Sequence, residues 1–174
     1  MRWLRFTFLM VFVAVLQSSA AINVFALTDM RIRPNIFLIL LVYFAVNCDG
    51  YDAIITSFAI GFAADIAGAV MGPHIISCGL IGTAVAYIRK IILLKKTNQQ
   101  ALTIFTAGFL IEAIAVLLTG LKASGMAKPG AFEIFAVAVY SAILWFIIKW
   151  PVTTAGKWTG AGNFHFGART GIRL

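Results

Sequence analysis

The chain has 174 residues and a formal net charge of +8, yet 61% of it is hydrophobic and only 11% is charged. A soluble domain carries about 25% charged residues, so with a mean hydropathy of +0.97 this composition excludes a water-soluble enzyme and specifies one polytopic membrane domain. The basic residues flank apolar segments, where they set orientation and meet anionic lipid head groups; the excess charge does not indicate nucleic acid.

Residues 1–27 begin with Arg2 and Arg5 and then turn apolar. Ser18-Ser19-Ala20 has the look of a signal-peptide cleavage site. The apolar character resumes over residues 21–27, which favours a retained first helix of spanning length. Gln17, Ser18 and Asn23 would then point into the bundle. After a turn holding Asp29, Arg31, Arg33 and Pro34, residues 36–46 form an apolar run that is short for a span of about 20 residues. It reads as a tilted helix or a re-entrant segment. Asn47-Cys48-Asp49-Gly50-Tyr51-Asp52 is a turn by composition.

Residues 53–71 form the next helix, stopped by Gly72-Pro73 because proline cannot continue the hydrogen-bond ladder. Residues 75–94 follow almost at once, so the two helices predict an antiparallel hairpin. The first helix carries Gly61, Asp65, Gly68 and Gly72 at steps of 4, 3 and 4, which puts them on one stripe. With Gly79 and Gly82 on the second helix, these small residues would let another helix approach closely. Spans over residues 101–121 and 131–150 complete six. Residues 153–174 form a basic, Gly-rich tail whose composition cannot bury a core, leaving a transmembrane domain of residues 1–152.

With a cytoplasmic start, Arg2, Arg5, Arg89, Lys90, Lys95, Lys96, Lys149, Lys157, Arg169 and Arg173 fall inside, against Arg31, Arg33, Lys122 and Lys128 outside. This bias obeys the positive-inside rule and places both termini in the cytoplasm. Arg89, Lys90, Lys95, Lys96 and Trp150 are the expected anchors at the membrane interface.

An acid inside the membrane costs about 2.5–3.5 kcal/mol on insertion scales, so it faces protein or water. Gly61-Phe62-Ala63-Ala64-Asp65 is echoed by Gly108-Phe109-Leu110-Ile111-Glu112, which puts Asp65 and Glu112 at a similar expected depth of about 16–18 Å along their helices. Helix packing, an ion or proton site, and a polar ligand cavity are the available roles. His74 reads as a capping residue at a helix end, and Cys48 and Cys78 as isolated apolar fillers. Neither supplies a metal set. No catalytic constellation and no cofactor motif is present.

Arg33-Pro34-Asn35-Ile36 with the run to Tyr43, then Gly61-Phe62-x-x-Asp65-x-x-Gly68, Met71-Gly72-Pro73-His74 and Tyr87-x-Arg89, resembles the bacterial rod shape-determining MreD family over residues 31–96. Asn35 replaces the family's usual acid, and the tail after Pro151 is longer than the family's. The resemblance implies a non-enzymatic inner-membrane subunit of the cell-elongation machinery. Such a subunit binds MreC and connects with MreB, RodA and a penicillin-binding transpeptidase. It also implies a fold similar to the substrate-binding subunits of energy-coupling-factor vitamin transporters. That keeps a second expectation open, a small-solute pocket lined by Asp65, Glu112 and Gln17.

Overall fold

A computed structural model describes residues 2–18, 35–68, 71–89, 97–122 and 130–161. The described residues contain no strand and form six helices: α1 (Trp3–Ser18), α2 (Ile36–Asn47), α3 (Gly50–Ala67), α4 (Pro73–Ile88), α5 (Thr97–Lys122) and α6 (Ala131–Thr159). Three of them, α3, α5 and α6, are long and apolar enough to cross a membrane. The chain is a multi-pass, all-helical membrane protein.

The short apolar run is the centre of the bundle. Alone, the 12 residues of α2 reach about 18 Å at 1.5 Å per residue, well short of a hydrocarbon core about 30 Å thick. Every residue from Phe37 to Ala45 is buried, and α2 packs against all five other helices. An apolar surface all the way round is what such a position demands. Residues 36–46, which read as a tilted helix or a re-entrant segment, form a helix that protein rather than lipid surrounds.

Polar groups close both ends of α2. At its start the Asn35 side chain accepts from Leu38 N at 3.3 Å, the usual N-cap arrangement. At its end Asn47 Nδ2 donates to Tyr43 O at 2.8 Å, and Arg89 Nη1 donates to Val46 O at 2.6 Å. A cation on the last carbonyls of a helix also meets the negative end of its dipole. Arg89, an expected anchor at the membrane interface, thus reaches the end of α2.

The last helix also departs from expectation. The sequence suggests an end near Trp150, whereas α6 continues through Pro151 to Thr159. Val152, Gly156, Thr159 and Ala161 are buried there. Gly156 lies directly against the Tyr43 hydroxyl, and α1 supplies partners for the final carbonyls. Arg2 N donates to Thr159 O at 2.9 Å and Arg5 Nη1 to Trp158 O at 3.1 Å. The Arg5 guanidinium stands 5.4 Å over the Trp158 ring, a cation–π contact. The start of α1 and the end of α6 therefore meet on one side of the bundle. Of the expected tail, residues 162–174 lie outside the described residues, as do residues 19–34.

Candidate functional site

The α3–α4 hairpin is built around one carboxylate. Helix α3 stops at Ala67 with Gly68 as its C-cap, and Gly72 is the N-cap of α4 with φ of 114°. Only glycine adopts that backbone without strain. The expected continuous helix over residues 53–71 is therefore corrected: α3 ends at Ala67, and Gly72 already caps the next helix, so Gly68 and Gly72 do not share a helical stripe with Gly61. Asp65 lies in the last turn of α3.

Asp65 is 2% exposed. Its Oδ2 accepts from Gly72 N at 2.8 Å and Ile75 N at 3.1 Å. Its Oδ1 accepts from His74 N at 3.0 Å, and His74 Nδ1 stands 3.0 Å from the same oxygen. Pro73, first in α4, has no N–H to offer, so the carboxylate collects the free donors on either side of it. A negative group at the positive end of a helix is favourable through both the dipole and the unsatisfied N–H groups. Both oxygens are engaged, so the geometry assigns Asp65 to joining α3 and α4.

Glycines bring the backbones close enough for this. A methyl group on Gly61 would lie 2.5 Å from His74 O and 2.8 Å from Ile75 Cα. Gly79 lies against the Phe58 ring and Gly82 against Ser57. These three residues form the chain's own α3–α4 seam, while Gly68 is exposed.

Glu112 stands at the start of α2, where it meets the N-cap side chain rather than backbone N–H groups. Its Oε1 accepts from Asn35 Nδ2 at 3.2 Å. Asn35 N donates to Ser141 Oγ at 3.2 Å, and Ile36 N to Gln17 Oε1 at 3.4 Å. One turn before the acid, Gly108 makes room for Leu38, whose Cδ2 would be 2.5 Å from an added methyl. The two Gly-x-x-x-acid segments share a placement, though not the same bonds. The glycine admits a neighbouring helix, and the acid one turn on engages that helix's N-terminal end. The sequence showed the echo but not that each acid serves a different helix start.

The Asn35–Glu112 contact carries a prediction. Asn35→Asp would set two carboxylates against each other and is expected to lower stability by about 1.5–3 kcal/mol, the scale of one lost hydrogen bond to a charged group. Adding Glu112→Gln should restore most of the loss. Denaturation midpoints of the single and double variants in detergent check this, and an unrescued double variant would refute the pairing.

Among the remaining expected site residues, Trp150 is 80% exposed, and Lys90, Lys95 and Lys96 lie outside the described residues. An open apolar groove of about 690 Å³ runs between α1 and α3. Ala59, Ala63 and Ala67, at steps of 4 along α3, line it opposite Met10 and Ala14. Val11, Val15, Phe62 and Ile66 line it as well and are exposed. Sequence reasoning missed this surface because it followed the glycines; the alanine spacing was the signal available. Asp65, Glu112 and Gln17 do not line it.

The family model for the rod shape-determining protein MreD matches residues 1–154. No curated protein matches the chain, and no solved structure does.

Proposed function

This chain belongs to the rod shape-determining protein MreD family, and on that premise we propose that it is a non-enzymatic scaffold of the cell-elongation complex. In this reading it sits in the bacterial inner membrane with both termini cytoplasmic. It binds MreC, and through the larger assembly it connects with MreB, RodA and a penicillin-binding transpeptidase. The observation that carries the proposal is the apolar groove between α1 and α3. Helices in lipid associate through close packing, since lipid tails remove the hydrophobic drive, and small residues at four-residue spacing permit that approach. Ala59, Ala63 and Ala67 supply the spacing, with the exposed Gly68 just beyond. The meeting of the N-terminal and C-terminal helix ends, together with Arg2, Arg5 and Lys157 there, supports a shared cytoplasmic side.

The resemblance in fold to energy-coupling-factor binding subunits, and the solute-binding role it would bring, belong to the same set of proposals. The internal bonds of Asp65 and Glu112 favour the scaffold over that role.

Ala63→Leu fills the groove and is expected to weaken MreC recovery from solubilised membranes about tenfold, equivalent to about 1.4 kcal/mol. Ile147→Trp, at an exposed position on α6, should leave recovery unchanged. Full recovery with a folded Ala63→Leu variant would refute the groove as the contact.

A further inference from the structure

A second polar feature lies inside the bundle, away from both acids. Trp145 is 2% exposed, and its Nε1–H has no hydrogen-bond partner among the described residues. A buried indole N–H ordinarily finds an acceptor, because an unmet donor in a low-dielectric interior is costly. Trp145 lines a small pocket between α2, α5 and α6, together with Tyr43, Asn47, Gln100 and Ile104. The pocket measures about 10 Å³, which is the room one water molecule needs. Two of its walls are amides.

We infer that this pocket is an internal hydration site, in which a single water accepts from Trp145 Nε1–H and donates to Gln100 Oε1. The size excludes a larger solute, and the chemistry suits water because the wall offers a donor and an acceptor on different helices. A buried water is typically held by about three such bonds, and the Asn47 amide is a third group on the pocket wall. Other polar groups stand close by along the two helices. Trp145 is one helical turn from Lys149, and Gln100 is one turn from Thr97, near the start of α5. There Lys149 Nζ donates to Thr97 Oγ1 at 2.6 Å. Polar groups on α6 and at the start of α5 thus stand within one turn of the pocket. The bridge ties α6 to α5 against the central α2, at a level where apolar packing alone would leave the indole unmet.

The test uses the full-length chain, labelled with ¹⁵N at the tryptophan indoles, in deuterated detergent micelles. The chain contains four tryptophans, and the signal lost in Trp145→Phe assigns Trp145. A cross-peak between its indole proton and water, with the sign of a long-lived bound molecule, is expected. In Gln100→Leu the indole resonance should remain while that cross-peak disappears. A Trp145 indole with no bound-water cross-peak would overturn the site. A cross-peak that survives Gln100→Leu would overturn the bridge.

Discussion

Asp65→Leu is expected to disable folding of the α3–α4 hairpin. The substitution leaves the N–H groups of Gly72, His74 and Ile75 without the acceptor they share. Each orphaned donor costs about 1–3 kcal/mol, so the three together cost about 3–9 kcal/mol. A domain is stable by only about 5–15 kcal/mol in all. Asp65→Asn keeps one acceptor oxygen, loses the charge, and turns an NH₂ toward donors; roughly half the loss is expected. Thermal unfolding in detergent and protein yield in membranes should therefore rank wild type above Asn and Asn above Leu. A fully stable Asp65→Leu protein would show that the carboxylate is not what starts α4. A channel or pocket role for Asp65 predicts the opposite pattern, with stability retained and function lost.

The second large effect belongs to Gly61. Alanine there brings its methyl to 2.5 Å from His74 O and 2.8 Å from Ile75 Cα. Both neighbours are backbone, so no side chain can swing aside, and α4 itself must move. Overpacking of this kind costs about 1–3 kcal/mol, and the upper end is expected because the displacement also draws the α4 donors away from Asp65. That link is testable as non-additivity. Gly61→Ala and Asp65→Asn together should destabilise less than the sum of the two, since contacting sites couple by about 0.5–3 kcal/mol. Strict additivity would separate the glycine from the acid. At Gly68, which is exposed, the same alanine substitution is expected to leave the unfolding midpoint nearly unchanged.

These two residues show why the candidate site was only half legible. Asp65 and Gly61 stood out in sequence because an acid and a glycine in an apolar run are costly choices that need a reason. What they do could not be read there. A regular stripe through Gly61, Asp65, Gly68 and Gly72 assumes helical backbone throughout, and the left-handed φ of Gly72 breaks it. Periodicity predicts a shared face only as far as the helix lasts. Arg89 shows the same limit: charge beside an apolar segment marks an interface, but which carbonyl the guanidinium reaches depends on where α2 ends.

Composition by itself determined the solvent. With 11% charged residues, the chain has too little polar surface for water, and its backbone groups must be satisfied within helices. The number of helices, their order and the two anomalous acids followed from that. Tertiary structure alone decided which helix is central. The apolar run of α2 looks the same to lipid and to protein, because both are nonpolar environments. Its burial comes from the helices around it, admitted by Gly108 at Leu38 and by Gly156 at Tyr43. Tertiary structure also decided which helix start each acid holds, since hydrogen bonds of that range depend on distances between segments far apart in the chain.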